Sequence, residues 1–266
     1  MIRIATAQSL ISADVRANGR EIRKLMARAY SSKAQLIHFP EAAISGYIKS
    51  EIKNWECVDW DILRDELAQI AALAKELNLW VVLGSNHQLT IPNRPYNSLY
   101  VISNKGILDS RYDKQYLSNT EVNDYYTAGQ KEIIFEIEGW KFGLSICIEI
   151  QFPELFRSYQ EKNVDCILFS AYADSEIFRI QARAHAATNN YWLSYSIPKQ
   201  CSSQTSSAII GPDGSIMEAC KNNQSGIVVA DLDKNSARWE IPLKYAKPWR
   251  KKARKGEIYQ PKTKIN

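Results

Sequence analysis

The sequence predicts one large α/β domain in which β-strands and α-helices alternate along the chain. Short apolar runs typical of buried strands alternate with segments whose apolar residues recur every three or four positions, the spacing of a helix face. The connecting segments are short, and no Pro/Gly-rich linker divides the chain. A chain of 266 residues with 45% hydrophobic residues can bury one large core. Together these observations favour an α/β fold.

The first half of the chain opens on a strand-like run, Ile2–Gln8, followed by a helix predicted over Asp14–Ser31. A short strand, Leu36–Phe39, ends at Pro40, because proline cannot donate to a central ladder of hydrogen bonds. The remaining elements predicted here are a helix over Ile62–Leu77 and strands over Trp80–Gly84, Ser98–Ser103 and Ile107–Arg111.

The second half opens on a predicted hairpin, in which Ile133–Ile137 and Lys141–Ile146 pair across Glu138-Gly139. Pro153 then begins a helix, since the first helical position tolerates proline. The later predicted elements are a helix over Ser175–Asn190 and strands over Cys166–Ser170, Trp192–Ile197, Ser207–Ile210 and Gly226–Leu232.

The net charge of +5 is concentrated at the end of the chain. Residues 244–266 contain nine Lys or Arg residues and one acid, so this tail holds +8 and residues 1–243 hold about −3. We therefore divide the chain into a main domain, 1–243, and a basic tail, 244–266, that is solvated or lies at a subunit interface. Nucleic-acid binding through Trp249–Lys252 is the less favoured alternative, and no nucleic-acid partner is expected.

Composition also excludes several classes of protein. No stretch approaches the roughly 20 apolar residues of a membrane helix, and the first eight residues resemble a strand, not a signal peptide. Five scattered cysteines, at positions 57, 147, 166, 201 and 220, favour a reducing cytoplasm. The three histidines form no zinc-like spacing with cysteines, and neither a metal nor a cofactor is expected.

Three segments carry the candidate active-site residues. Cys147 lies where the apolar run Lys141–Ile146 gives way to a helix start, and a strand–turn–helix would hold its thiol at a sheet rim, as a nucleophile requires. Glu41 follows the strand that ends at Pro40, and open α/β sheets place their sites at strand ends. Lys114 follows the next predicted hairpin. Taken one at a time, they are more readily explained as a small core cysteine, a loop glutamate and a surface lysine.

Together these segments resemble the nitrilase superfamily, the carbon–nitrogen hydrolases, over most of the chain, and Glu, Lys, Cys is the family's order. The matching motifs are Phe39-Pro40-Glu41 with Ser45-Gly46-Tyr47, Tyr112-Asp113-Lys114 with Leu117, Cys147 with Glu149, Phe152-Pro153-Glu154 and Arg157, Arg183-Ala184 with Asn189, and Ser206–Gly214. The resemblance implies a four-layer α-β-β-α sandwich of two stacked mixed sheets, which composition alone does not distinguish from a doubly wound sheet. It also implies a homodimer or larger homo-oligomer joined through helical layers.

The resemblance further implies a chemistry. Cleaving an amide needs a nucleophile, a proton shuttle and a stabiliser of the oxyanion, and Cys147, Glu41 and Lys114 would take these roles. The backbone N–H of Ile148 would assist Lys114, whose ammonium is expected to lower the thiol pKa. The expected reaction is hydrolysis of a non-peptide C–N bond in a small amide or N-carbamoyl compound, through a cysteine acyl-enzyme and with release of ammonia.

Two of the departures from the family pattern bear most directly on the candidate site. Many members carry a second glutamate between the lysine and the cysteine, and Glu121 is the candidate. It lies one residue too far from Gly129, with Val122 in the expected place, so it needs a one-residue insertion and a plain loop carboxylate is the alternative. Ile148 replaces the usual aromatic residue after the nucleophile, which speaks against a nitrile substrate.

Proximity to the motifs also predicts a set of substrate-binding residues, for each of which ordinary packing or a solvated loop is the alternative. They are Tyr47, Tyr116, Ile148, Gln151, Tyr172 and Asp174. Asp174 is the candidate partner for a substrate ammonium.

Three other functions compete with the hydrolase. A Cys–His thiol hydrolase would use His38, His87 or His185 as its base, but no motif supports any of them. A catalytically silent binding subunit could use the same fold, although it would not need Glu41, Lys114 and Cys147 together. An acyltransferase would share every catalytic residue with the hydrolase.

Overall fold

The computed structural model describes residues 1–259, in which the strands and helices build a four-layer α-β-β-α sandwich, as predicted. The strands are β1 (Ile2–Gln8), β2 (Leu36–His38), β3 (Trp80–His87), β4 (Tyr96–Ile102), β5 (Leu108–Asp113), β6 (Ile134–Ile137), β7 (Trp140–Ile146), β8 (Cys166–Ser170), β9 (Trp192–Ser196), β10 (Ala208–Ile210), β11 (Ile216–Ala219) and β12 (Gly226–Leu232). The α-helices are α1 (Val15–Ser31), α2 (Trp60–Glu76), α3 (Pro153–Glu161), α4 (Glu176–Asn189) and α5 (Lys247–Arg254).

The strands form two six-stranded mixed sheets. The first has the order β12-β1-β2-β3-β4-β5 and the second the order β11-β10-β9-β8-β7-β6. In each sheet three central strands are parallel, β1–β3 in the first and β7–β9 in the second, and antiparallel strands flank them. The carboxyl ends of β2 and β7, after which Glu41 and Cys147 follow, are therefore ends of central parallel strands.

Apolar side chains from both sheets fill the space between them. Ile4 and Val82 of the first sheet and Leu144 and Leu168 of the second are fully buried in this layer. Each such side chain stabilises the fold by roughly 1.5–3 kcal/mol relative to exposure. Helices α1 and α2 cover the outer face of the first sheet, and α3 and α4 cover that of the second.

Acidic caps begin the two helices of the first outer layer. Asp14 accepts hydrogen bonds from the backbone N–H groups of Arg16 and Ala17 at 2.9 and 3.1 Å, and α1 begins at the next residue. Asp59 caps α2 in the same way. An aspartate at this position satisfies backbone donors that have no partner inside the helix, which explains why both helices begin where they do.

Two elements were not predicted from the sequence. Strand β11 is a mostly exposed edge strand, so its residues show little apolar alternation. Helix α5 lies in the basic tail, and Arg254 fixes it to the body by donating to Gln160 at 2.6 Å and to Asn189 at 3.1 Å. The described part of the tail therefore packs on its own subunit, while residues 260–266 of the predicted tail lie outside the described residues.

No helix in residues 1–259 is long and apolar enough to cross a lipid bilayer.

Candidate active site

Glu41, Lys114 and Cys147 follow β2, β5 and β7, so the first sheet supplies two of the candidate residues and the second sheet the third. Glu41 and Lys114 are buried, whereas Cys147 is partly exposed. The Lys114 Nζ atom lies 3.2 Å from Glu41 Oε1. The predicted set therefore meets in the folded chain, where Glu41 and Lys114 both lie close enough to Cys147 to shift its pKa.

The buried Lys114 ammonium lies between two carboxylates, those of Glu41 and Glu121. Its Nζ donates to Glu121 Oε1 and Oε2 at 2.9 and 3.0 Å. Burial opposes the charge of Lys114, but the neighbouring carboxylates of Glu41 and Glu121 outweigh it and raise the lysine pKa. Burial also opposes ionisation of Glu121, but Lys114 outweighs it and lowers the Glu121 pKa. The pair is therefore charged at neutral pH.

The two oxygens of Glu41 have different surroundings. Oε1 accepts from Lys114 and, at 2.7 Å, from the side-chain amide of Asn97. Oε2 accepts a single hydrogen bond, from the backbone N–H of Tyr172 at 2.7 Å. Oε2 is therefore the oxygen with room to receive a proton. Asn97 was missed in the sequence, where the only signal was a pair of polar residues, Asn97 and Ser98, at the start of an apolar strand.

A π-helical turn explains the one-residue offset of Glu121. The turn spans Glu121–Tyr125 and is closed by a hydrogen bond from the backbone N–H of Tyr126 to the Glu121 carbonyl. Such a turn holds one more residue than an α-helical turn. The extra residue brings Glu121, rather than Val122, to Lys114, and Ser118 N–H fixes its Oε2 at 2.8 Å.

Cys147 begins a short 3₁₀ turn with φ +52°, in the left-handed region that side chains rarely adopt. Burial raises the pKa of its thiol, and the Glu41 carboxylate raises it further, while Lys114 acts in the opposite direction. Lys114 therefore lowers the thiol pKa as expected, but burial and Glu41 outweigh it, so the net shift is upward. The resting residue is a thiol that needs a base.

Glu149 joins the cysteine turn to the lysine loop. Its buried carboxylate accepts backbone hydrogen bonds from Ile146 and Gln115, both at 2.7 Å, and from Tyr116 at 3.1 Å. The Tyr112 hydroxyl donates to the same carboxylate at 2.7 Å. Since Ile146 belongs to the second sheet and Gln115 follows the first, this one side chain links both sheets next to the site.

Among the predicted substrate-binding residues, Tyr47 and Tyr172 lie at the acidic cluster. The Tyr47 hydroxyl donates to Glu121 at 3.1 Å, and its ring stacks on Tyr172 with centroids 4.9 Å apart. Tyr116 stacks on Phe152 at 4.3 Å and remains partly exposed.

The other predicted substrate-binding residues lie further out or have partners of their own. Ile148 is half-buried beside Cys147, and Gln151 is exposed with no side-chain hydrogen bond to the described residues. Asp174 accepts from the Gln204 N–H at 2.9 Å and from the Ser203 hydroxyl, so it also holds a neighbouring loop.

None of the three histidines forms a hydrogen bond with Cys147 in residues 1–259. His38 lies between the sheets with two serine partners, His87 contacts Tyr100 and Arg111, and His185 contacts the Ile150 carbonyl. This arrangement gives no support to a Cys–His pair.

Gly84 lets strand β3 approach the segment that carries Glu41. A Cβ atom at this position would lie 2.1 Å from the Pro40 carbonyl oxygen and 2.6 Å from the Ala42 nitrogen. Both contacts are far inside van der Waals distance and involve backbone, so a side chain here would displace the residues on either side of Glu41.

Comparison with known proteins matches this chain to a family model and to several amidases. The carbon–nitrogen hydrolase family model matches residues 3–240. Deaminated glutathione amidase of Dictyostelium discoideum is 25% identical over 91% of this chain and 92% of its own length. The chloroplastic omega-amidase of Arabidopsis thaliana is 22% identical over 97% of this chain and 73% of its own length.

Two solved structures of a Nesterenkonia AN1 amidase have a similar fold. A variant described as belonging to the nitrilase superfamily superposes with a TM-score of 0.79 at 18% identity, covering 97% of both chains. A variant of that amidase in complex with butyramide superposes with a TM-score of 0.77 at 20% identity, covering 87% of this chain and 90% of its own.

The close approach at Gly84 leads to a prediction. Gly84→Ala should lower turnover of an amide substrate at least tenfold, because displacements of about 1 Å at such a site can cost about a hundredfold. Gly226→Ala is the matched control, since its added Cβ would meet only the Arg28 guanidinium at 3.9 Å. Steady-state kinetics and thermal melting of both variants test this, and equal turnover of the two would contradict it.

Proposed function

The chain belongs to the carbon–nitrogen hydrolase family, and on that premise we propose that it hydrolyses a small amide or N-carbamoyl compound and releases ammonia. The observation that carries this proposal is the buried Lys114 ammonium held between Glu41 and Glu121 beside the partly exposed Cys147. Burying such charges costs several kcal/mol per ion before pairing. A binding module gains nothing from this arrangement, whereas an amide hydrolase needs each of its groups.

In the first step the Cys147 sulfur attacks the amide carbonyl carbon while its proton passes to Glu41. Oε2 accepts one hydrogen bond and Oε1 accepts two, so we assign Oε2 as the atom that receives this proton. The forming C–S bond moves an electron pair onto the carbonyl oxygen. Lys114 and the backbone N–H of Ile148 stabilise that negative charge; removing one such donor typically costs roughly 2.7–4 kcal/mol.

In the second step Glu41 returns the proton to the departing nitrogen, the C–N bond breaks, and ammonia leaves a thioester on Cys147. Glu41 then takes a proton from water as the water oxygen attacks the thioester carbon. Breaking the C–S bond releases the acid, and the proton goes back to the sulfur. Because the resting thiol has a raised pKa, each half-reaction depends on Glu41 as the proton carrier.

Glu121 is assigned a positioning role. Its carboxylate lies on the far side of Lys114 from Glu41 and holds the ammonium through both oxygens. This placement keeps Lys114 charged and oriented while Glu41 exchanges protons.

Two further proposals concern the chain as a whole. The family match over residues 3–240 supports residues 1–243 as the hydrolase domain. All five cysteines are unpaired, which supports a reducing compartment such as the cytoplasm.

Ammonia release tests the proposed reaction. In a panel of short aliphatic amides, N-carbamoyl amino acids and nitriles, we expect wild type to release ammonia from an amide or N-carbamoyl compound and not from the nitriles, and Cys147→Ala to release none. Butyramide belongs in the panel because the structurally similar Nesterenkonia amidase binds it. Mass spectrometry of the denatured protein should detect an acyl adduct on Cys147. Equal release by both proteins would contradict the mechanism, and amide products formed with added amines would indicate an acyltransferase.

Asp174 is proposed to bind a substrate ammonium at the mouth of the site. Asp174→Asn keeps an acceptor oxygen for the Gln204 N–H and removes the negative charge, and the Ser203 hydroxyl can turn to accept from the new amide nitrogen. We therefore expect KM to rise severalfold for amine-bearing amides and to stay constant for neutral amides of the same length. A parallel change in both KM values would show that Asp174 only holds its loop.

The outer face of α4 is the proposed subunit interface. Ile177 and Ile180 are 57% and 50% exposed, and with the exposed Ala184 they form an apolar stripe at helical spacing. Apolar stripes of this kind mark interaction surfaces. Packing this helical layer against a second copy would cover the stripe.

Light scattering tests the interface. We expect wild type to have twice the 30.4 kDa chain mass, and Ile180→Asp to have the monomer mass because it places a charge in the apolar contact. Ile107→Asp is the matched control, since Ile107 is 60% exposed in the β4–β5 hairpin, on the first sheet. A monomeric wild type, or dissociation by both substitutions, would contradict this interface.

A further inference from the structure

A short series of polar side chains crosses the mainly apolar layer between the sheets. His38, on β2 of the first sheet, is fully buried. Its Nδ1 lies 2.8 Å from the Ser194 hydroxyl and its Nε2 lies 2.7 Å from the Ser170 hydroxyl, both on the second sheet. The catalytic steps proposed above do not use this imidazole.

The Phe39 carbonyl oxygen, at one end of this series of hydrogen bonds, determines where each hydrogen lies. The Ser170 hydroxyl lies 2.8 Å from the Phe39 carbonyl oxygen, which can only accept, so Ser170 donates there. Ser170 must then accept from His38, whose Nε2 therefore carries the hydrogen. Nδ1 in turn accepts from the Ser194 hydroxyl.

One neutral tautomer of His38 thus satisfies every group in the series. The Thr6 hydroxyl, 2.6 Å from Ser194 Oγ, donates to it and completes the series. Burial lowers the pKa of His38 to about 3, in agreement with a neutral ring.

The same contacts join the two segments that hold Glu41. Phe39 lies two residues before Glu41, and Ser170 lies two residues before Tyr172, whose N–H binds Glu41 Oε2 at 2.7 Å. Apolar packing between sheets resists separation but is non-directional, so it sets relative position weakly. Directed hydrogen bonds at the ends of β2 and β8 set it closely.

We propose that His38 and Ser170 form an inter-sheet latch that positions Glu41, on the first sheet, against Cys147, on the second. Both are positioning residues, and the inference rests on the proposed function, because it assigns Glu41 as the proton carrier for Cys147. Loss of the latch displaces the base from the thiol without touching either residue, so kcat falls while substrate binding is kept.

Two substitutions of His38 separate this role from simple core packing. The amide nitrogen of Gln reaches the position of Nε2 and can still donate to Ser170, whereas Asn reaches only the position of Nδ1 and contacts Ser194. We expect His38→Gln to keep kcat within about threefold of wild type. His38→Asn should lose at least tenfold in kcat, with KM within about twofold. Equal losses in the two variants would overturn the latch.

Serine substitutions give a second, milder comparison. Ser170→Ala removes the latch contact, while Ser196→Ala removes a different inter-sheet hydrogen bond, the one from Ser196 Oγ to the Ala7 carbonyl at 2.7 Å. We expect a tenfold or greater loss of kcat for Ser170→Ala and less than twofold for Ser196→Ala, with similar thermal melting. Matching kinetics for the two would overturn the proposal.

The rate at which iodoacetamide alkylates Cys147 tests the latch without any substrate. Peptide mass spectrometry should find slower alkylation of Cys147 in Ser170→Ala than in Ser196→Ala, while the exposed Cys57 reacts equally in both and serves as the internal standard. If Cys147 is alkylated more slowly in Ser170→Ala but wild type releases no ammonia from any compound of the panel, the latch is supported and the proposed function is overturned. Normal alkylation and normal turnover in Ser170→Ala support the function and overturn the latch.

Discussion

The Lys114 ammonium, buried between the carboxylates of Glu41 and Glu121, is the interaction on which the site depends. Burying three charged groups destabilises the fold unless each of them has well-placed partners. The fold supplies them through the Asn97 amide and the Tyr172 N–H. Two carboxylates against one ammonium leave a net negative charge beside the thiol. Together with burial, this charge explains the raised Cys147 pKa and the need for a proton carrier.

Because Glu41 and Cys147 belong to different sheets, the packing of the sandwich is part of the site. Glu149 joins the two sheets on the side of the lysine loop, where it accepts from the backbone of Ile146 and Gln115. The His38 contacts join them on the other side. Polar connections inside an apolar layer are costly unless fully satisfied, and both of these are satisfied. Such connections hold the sheets in one relative position. Apolar packing alone is non-directional and would allow the sheets to shift against each other.

The sequence predicts the parallel core strands and the first four helices well, since their periodicity directly reflects burial. It misses β11 and α5, whose residues are largely exposed or basic and therefore carry little apolar pattern. It predicts that Glu41, Lys114 and Cys147 act together. The proximity of their side chains arises only when the two sheets stack. The role of Asn97 and the direction of the Cys147 pKa shift depend on neighbours distant in the chain, so no local pattern could predict them.

The wall of the site is built to be rigid before substrate arrives. Tyr47 and Tyr172 stack on each other, and each hydroxyl is held by a different carboxylate, Glu121 for Tyr47 and Glu51 for Tyr172. Glu51 also accepts from the Gln200 side chain at 3.2 Å, so the mouth is anchored to a loop of the second sheet. Moving either ring would break one of these hydrogen bonds, of which the one from Tyr47 to Glu121 is buried. Glu121 therefore links the two parts of the site, because it holds both the Lys114 ammonium and the Tyr47 hydroxyl.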